Sequence, residues 1–295
     1  MKRLSIVIPN YNGKHLLEKN LPRVVKEIKK FKNLEIEIIV VDDGSTDGSI
    51  KYLKSQSTKL KATTQNLKLK LIENKKNLGF SSTVNRGVKE AKGEIVILLN
   101  TDIYPEEGFL DAILPHFKDS KVFAVGMLDK SIENGKIVRR GRGVGEWKRG
   151  FYVHRRGEVD KTDTAWVSGG SGAFRKSIWE KLGGFDPDYN PFYWEDIDLS
   201  FRAKKRGFKV LFEPKSAVIH EHEKSVIKSK FPPWKIRSIS FRNQFLFVWK
   251  NANFTQLFSH LLWLPYHLIK SILTGDICFW IGLLWAIERK LTSRR

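Results

Sequence analysis

The residues able to do chemistry in this chain cluster at the tips of apolar runs. Asp102 closes the stretch Ile95-Val96-Ile97-Leu98-Leu99-Asn100-Thr101-Asp102. There it can ligate a hard cation, Mg²⁺ or Mn²⁺, which takes one or two carboxylates together with substrate phosphates. It can equally cap the next turn. Asp42 and Asp43 end a second run, Ile36 to Val41. They can recognise a base and ribose at the mouth of an open sheet, or act as turn residues ahead of Gly44. His220 and His222 follow the strand-like Ala217 to Ile219. Two residues apart, they share a face if the strand continues and could add metal ligands; otherwise they are an exposed pair. Glu195, Asp196 and Asp198 gather at a predicted helix start. Acids there complement the helix dipole, and one could also take the proton of an attacking hydroxyl. Gly169, Gly170 and Gly172 can let backbone N–H groups approach a phosphate or sugar.

These positions need a scaffold, and the hydrophobic pattern supplies one. Leu4–Ile8, Ile36–Val41, Leu69–Glu73, Ile95–Leu99 and Val122–Met127 read as short buried strands. Helical periodicity fills the gaps: Leu16 to Ile28, a helix from Ser49 with Asp47 as its cap, and Ser81 to Ala91 stopped by Gly93. Alternating strands and helices at this spacing predict βαβ units and a parallel sheet. Further on, Phe109–Phe117, Ser177–Leu182 and Glu195–Lys205 read as helices. Ala165–Val167, Lys209–Phe212 and Ala217–Ile219 read as strands. After Ser225 the chain turns apolar-periodic and aromatic, with helices over 236–249 and 257–287. The expected division is residues 1–228 and 229–295, with a boundary around Phe231-Pro232-Pro233.

Composition narrows the classes. Lys and Arg number 53 against 32 Asp and Glu, a net charge of +21 in 295 residues. That balance favours an anionic partner: nucleic acid, an acidic membrane surface or a phosphorylated substrate. One cysteine, Cys278, excludes an intrachain disulfide framework and a cysteine-based zinc site. The apolar run Leu4 to Ile8 is too short for a secretory signal, and no run of about 18 apolar residues reads as a membrane span. The Arg139–Arg156 run could be a loop that neutralises a diphosphate, a nucleic-acid-binding segment, or a solvated hairpin. A nucleic-acid-binding module accounts for the charge but not for the placed acids. A nucleotidyltransferase needs a Gly-rich phosphate loop after the first strand, and Pro9-Asn10-Tyr11-Asn12 is not one. Trp249, Trp263, Trp280 and Trp285 with Arg289, Lys290, Arg294 and Arg295 resemble an interfacial membrane element.

Taken in order, the motifs carry more than any one of them. SIVIPNYN (Ser5 to Asn12), VVDDGSTDGS (Val40 to Ser49), NLGFSSTVNRG (Asn77 to Gly87), LLNTD (Leu98 to Asp102), VSGGSGAFRK (Val167 to Lys176), LGGFD (Leu182 to Asp186), WEDIDLSFRAKKRG (Trp194 to Gly207) and HEHEKS (His220 to Ser225) resemble the family 2 glycosyltransferases, in the rhamnosyltransferase-like branch. The resemblance implies the GT-A fold: α/β, Rossmann-like, a mostly parallel sheet flanked by helices, here with a helical C-terminal segment. It implies a nucleoside-diphosphate sugar as donor and inverting transfer to a hydroxyl of a glycan or lipid-linked acceptor. Envelope polysaccharide or glycoconjugate synthesis is the implied setting. The place is cytoplasmic or peripheral on the inner face of the membrane, with an anionic membrane surface as partner and no specific nucleic acid.

Residue roles follow from the same resemblance. Asp42 contacts the base, with Pro9 and Tyr11 lining its pocket and Asp43 beside it. Asn77, Gly79 and Asn85 lie near the donor, as do Asn100, Gly169 and Gly170. Asp102 fills the last place of an Asp-x-Asp metal motif for Mg²⁺ or Mn²⁺, and His220 is a further metal or diphosphate contact. Asp196 is the catalytic base, with Glu195 beside it. Asn100 stands where the motif has its first aspartate, which weakens the expected grip on the metal.

Overall fold

A computed structural model describes residues 3–63, 67–133, 135–221 and 231–292. The first half alternates as expected: β1 (Arg3–Asn10), α1 (Lys14–Ile28), β2 (Glu35–Asp42), α2 (Ser49–Thr63), β3 (Leu67–Glu73), α3 (Phe80–Glu90) and β4 (Ile95–Leu99). A short β5 (Ile103–Pro105), α4 (Phe109–Ile113) with a following 3-10 turn, and β6 (Val122–Glu133) come next. Then follow β7 (Lys136–Arg140), β8 (Gly143–Lys148), β9 (Phe151–Arg156), β10 (Ser171–Arg175), α5 (Lys176–Leu182), α6 (Glu195–Lys205) and β11 (Lys209–Glu221). Three helices close the chain: α7 (Pro233–Asn251), α8 (Phe254–Leu273) and α9 (Ile277–Thr292).

Among the described residues, nine strands make one sheet in the order β3-β2-β1-β4-β10-β6-β11-β5, with β7 paired to β6. β3, β2, β1 and β4 run parallel. β10 runs antiparallel between β4 and β6. Strand alternation explains why the apolar runs are continuous. Ile95, Ile97 and Leu99 face one layer with Leu17, Leu21 and Phe109. Val96 and Leu98 face the other with Val84, Val88 and Trp179. Both faces are covered, so the central strands are mostly apolar, and the buried Ser5 of β1 is satisfied by Glu37 of β2 at 2.6 Å.

Several boundaries differ from the sequence reading. Ala165–Val167 is irregular, and the strand lies later, at Ser171–Arg175. Backbone pairing to both neighbours overrides the poor strand propensity of Ser-Gly. The two strand-like pieces after Lys209 join into β11 across a register shift between Glu213 and Ala217. The Arg139–Arg156 run is strand, pairing β7 to β6 and β8 to β9. The long C-terminal helix is two, broken where Gly275 takes φ +63°. Asp47 accepts from the backbone of Ser49 at 3.0 Å and also from Lys14 at 2.8 Å, tying together the starts of α2 and α1. His222 lies outside the described residues.

A third apolar cluster joins the C-terminal helices to the rest. Phe245, Leu246, Phe247 and Val248 of α7 and Phe279 of α9 pack with Phe151 and Tyr152 of β9 and with Trp194 and Ile197 around the start of α6.

Candidate active site

The parallel register brings the acids together. Asn10 pairs with Asp42, Asp42 with Glu73, and Val7 with Leu98, so β1 to β4 finish level at their carboxyl ends. β10 is antiparallel, and Ser171 pairs with Leu99. Its incoming residues Ser168-Gly169-Gly170 therefore reach the same edge. The edge opens into a cleft of about 410 Å³, ample for a small ligand. Of the expected residues, Pro9, Tyr11, Asp43, Asn77, Gly79, Asn100, Asp102, Gly169, Gly170, Glu195 and Asp196 line it. Asp42, Asn85 and His220 are not among its lining.

Asp42 is fully buried behind the cleft, accepting from Asn10 Nδ2 at 2.7 Å and from the Ser45 backbone at 2.9 Å. Successive strand residues point to opposite faces, and here Asp43 is the one beside the cleft. Its Oδ1 accepts from Asn74 Nδ2 at 2.7 Å and Leu78 N at 2.9 Å, and its Oδ2 from Gly79 N at 3.0 Å. It thus holds the Asn77–Gly79 wall. Asn85 bonds both the carbonyl (2.6 Å) and the N–H (2.9 Å) of Phe185.

Gly79 carries φ 86° and ψ 167°, a conformation essentially confined to glycine. A Cβ there would come within 2.7 Å of Asn190 Cγ. Asn190 in turn accepts from Ser81 N at 3.0 Å and donates to the Leu78 carbonyl and Ser82 Oγ, both at 2.9 Å. Gly79→Ala is expected to cost roughly 1–3 kcal/mol in stability, read as a lowered Tm. Weakened nucleotide binding should accompany it, because the same loop lines the cleft.

At the other end, Asp102 Oδ1 is buried without a hydrogen-bond partner. Its Oδ2 lies 3.2 Å from His220 Nε2, and His220 Nδ1 lies 3.0 Å from Asp129 Oδ2. Burial works against a charged ring, but the hydrogen bonds from Asp102 and Asp129 outweigh it and raise His220 to about 9. In this arrangement both ring nitrogens of His220 are engaged by carboxylates, Nε2 by Asp102 and Nδ1 by Asp129. Among the described residues no three His, Cys, Asp or Glu side chains surround one point. Asp102 nevertheless lines the cleft, and a carboxylate whose buried Oδ1 has no partner among the described residues suits a hard cation that keeps most of its ligands on substrate and water. A Cβ on Gly170 would meet Asn100 Nδ2 at 2.7 Å, so that glycine leaves room for the Asn100 amide beside Asp102.

Across the cleft, α6 presents its first turn. Glu195 is buried, and Asp196 is partly open to the cleft. Burial raises Asp196 to about 6, against hydrogen bonds from Ile197 N at 2.8 Å and Gly169 N at 3.4 Å. Burial also pushes Glu195 well above the carboxylate range, helped by the neighbouring charges of Asp196 and Asp198. Burial thus favours the protonated form more strongly at Glu195 than at Asp196, which sets the two neighbouring carboxylates apart. Asp198 faces away, held by Arg202, Tyr189 and Asn251.

Sequence reasoning missed the remaining wall. Asn10, Thr83, Thr101 and Ser168 line the cleft, with the aromatic rings of Phe80, Phe192, Tyr193 and Phe231. Tyr193 and Trp194 enter α6 with φ 72° and 77°, a backbone form costly outside glycine. The C-terminal helices hold it. Asn243 of α7, fully buried, donates to the carbonyls of Tyr189, Phe192 and Tyr193 at 3.1, 3.0 and 2.8 Å. Arg242 bonds the carbonyls of Tyr189 and Asn190, and Lys250 pairs with Asp186 and Asp188. No pattern in the sequence links residue 243 to residue 193; only the aromatic density of both segments hints that they pack.

Comparison with known proteins places this geometry. The sequence model of "Glycosyl transferase family 2" matches residues 5–183, more than half of the chain. The N-acetylglucosaminyl-diphospho-decaprenol L-rhamnosyltransferase of Mycobacterium tuberculosis is 25% identical over 248 residues, covering 74% of this chain and 75% of that protein. The dolichol-phosphate mannosyltransferase of Pyrococcus furiosus is 28% identical over 135 residues, covering 46% of this chain and 35% of that protein. The crystal structure of GalNAc-T7 with UDP, GalNAc and Mn²⁺ superposes with a TM-score of 0.66 at 21% identity, over 84% of this chain and 48% of that one.

Proposed function

The chain belongs to glycosyl transferase family 2, and from that premise we propose that it moves a sugar from a nucleoside-diphosphate donor to a hydroxyl of a lipid-linked or envelope-glycan acceptor, with inversion at the anomeric carbon. The observation that carries this reading is the cleft itself: an ionised Asp196 on one wall and an unpartnered Asp102 oxygen on the other. Asp43 and Gly79 shape the nucleotide end. The N–H groups of Leu78 and Gly79 are already committed to Asp43, so the donor meets a rigid wall there.

Asp196 would accept the proton of the acceptor hydroxyl as that oxygen forms its bond to the anomeric carbon. The bond from that carbon to the diphosphate breaks in the same displacement, its electron pair leaving on the diphosphate oxygen. One displacement from the face opposite the leaving group inverts the centre, through a charge-delocalised sugar transition state. Mg²⁺ or Mn²⁺ at Asp102, with Asn100 beside it, would supply Lewis-acid stabilisation of the diphosphate. The Gly169 N–H fixes the Asp196 carboxylate towards the cleft. The aromatic side chains of Phe192, Tyr193 and Phe231 would exclude water on the acceptor side and so limit donor hydrolysis.

In this reading the acceptor is lipid-linked and is met at the inner face of a membrane. The Mycobacterium relative, named for a diphospho-decaprenol compound, supports a lipid-linked acceptor, and the basic, aromatic C-terminal region supports a membrane surface. A screen of nucleotide sugars with and without Mn²⁺ tests the reading. One donor class should release its nucleoside diphosphate, faster with Mn²⁺, and NMR of the transferred sugar should show the opposite anomer. Retention of configuration, or no binding of any nucleotide sugar, would sink it.

A further inference from the structure

Helix α8 is built inside out. The residues it buries are His260 and Ser271, and both have partners: His260 with the Gly150 carbonyl and Trp249, Ser271 with the Leu268 carbonyl. Leu264 and Leu268 pack half-buried against the C-terminal cluster, and the other large apolar residues of the helix face outward. Phe254, Phe258, Leu262, Ile269, Ile272 and Leu273 are between 56% and 84% exposed. At 100° per residue they fall within an arc of about 100°, roughly opposite the two buried polar residues. α9 extends the surface with Ile277, Leu284 and Leu291, each more than 60% exposed. An apolar face of this extent on one element marks a partner that is itself not water.

The border of the arc says which partner. Lys270 is the one charged residue in Phe254–Leu273, and no acid occurs there. The tip of the β8–β9 hairpin, with exposed Lys148 and Arg149, lies on the helix. Arg149 donates to Tyr266 Oη at 3.2 Å, and its guanidinium sits 5.5 Å from the rings of both Trp263 and Tyr266. His267 Nε2 lies 2.8 Å from the Arg149 carbonyl. An apolar face rimmed by Trp, Tyr, Lys and Arg matches the layered chemistry of a bilayer interface, where acyl chains give way to aromatic-friendly headgroups and then to anions. Uncompensated cations on that rim disfavour pairing with a second copy of the same face. Among the described residues no helix is long and apolar enough to cross a membrane, so α8 would lie along the surface, about 30 Å of it.

We propose that the outward arc of α8, rimmed by the β8–β9 tip, seats the protein on the headgroup region of an anionic phospholipid bilayer. This deepens the membrane-proximal reading above, and its test does not depend on sugar transfer. The intact chain is floated with vesicles of phosphatidylcholine and phosphatidylglycerol, and with phosphatidylcholine alone. The protein is expected to float with the mixed vesicles. Phe258→Asp, Leu262→Asp and Ile269→Asp combined should lower the bound fraction about tenfold or more, and Arg149→Glu should lower it several-fold on the anionic vesicles. Binding of uridine and guanosine diphosphates, measured on the same preparations, should be unchanged. Its absence in the wild type would count against the transferase reading and leave the docking result standing. If the triple variant unfolds, Leu262→Asp alone gives the comparison. The proposal is overturned if the wild type does not float, if the Asp variants float as well as it does, or if the arc instead forms a dimer that the variants dissolve.

Discussion

Asp196→Asn is expected to abolish sugar transfer while leaving nucleotide binding nearly intact. The substitution keeps the shape, and the amide oxygen can still accept from Ile197 N at the helix start, giving up only the longer bond from Gly169 N. What it removes is the ability to take a proton. General-base catalysis contributes roughly 10²- to 10⁴-fold, so transfer should fall by about that factor with little change in nucleotide Kd. The pH profile gives a second readout. Burial sets Asp196 near 6, and the base is competent above that value, so wild-type kcat/KM should fall about tenfold per pH unit below it. The residual activity of the Asn variant should lack that limb. Glu195 supplies the control. Burial favours its protonated form beside Asp196, so Glu195→Gln should keep the limb. The reverse pattern, with Glu195→Gln losing it and Asp196→Asn retaining activity, would exchange the two roles.

The second large effect is expected at Asp102. Its Oδ1 is buried and unpartnered at the cleft, and a carboxylate in that state is stabilised by a cation. Asp102→Ala should lower kcat/KM by about 10³-fold, in keeping with the several kcal/mol that a Lewis acid contributes. Chelation of the wild type should produce a similar loss. The decisive readout is binding. Mn²⁺ should tighten nucleoside-diphosphate affinity in the wild type and leave the Ala variant unaffected. An unchanged Mn²⁺ increment in Asp102→Ala would place the metal elsewhere. His220→Ala is the companion variant. It removes the His220 contacts to Asp102 Oδ2 and Asp129, so metal affinity should hold or rise, which a ligand role for His220 forbids.

Much of the scaffold could be read from sequence because both faces of the sheet are covered. A doubly buried strand favours apolar residues, and β4 therefore stands out as an unbroken run, while β1 and β2 are each interrupted once, by Ser5 and Glu37, which bond each other. β10 does not, since Ser171 and Gly172 look like a loop; its pairing depends on β4 and β6, which the local sequence does not mention. The acids at the strand ends were visible for the same reason that the strands were. Which of Asp42 and Asp43 faces the cleft depends on the register of one residue, and composition carries no register. Asn85 and His220 are polar residues consumed by partners 91 to 118 positions away, distances that periodicity does not bridge. The Asn243 amide is illegible for the same reason.

That amide has a consequence in time as well as space. The wall that carries Tyr193, Trp194 and the start of α6 has a costly backbone, and its anchors are Asn243, Lys250 and Arg289, the last bonded to Asp188 across 101 positions. A ribosome emits the donor half of the cleft before these anchors. Until they emerge, the left-handed entry into α6 lacks the bonds that Asn243, Lys250 and Arg289 supply. The donor side of the cleft would thus form ahead of a firmly held Asp196, which would spare activated sugar from hydrolysis until the anchors dock.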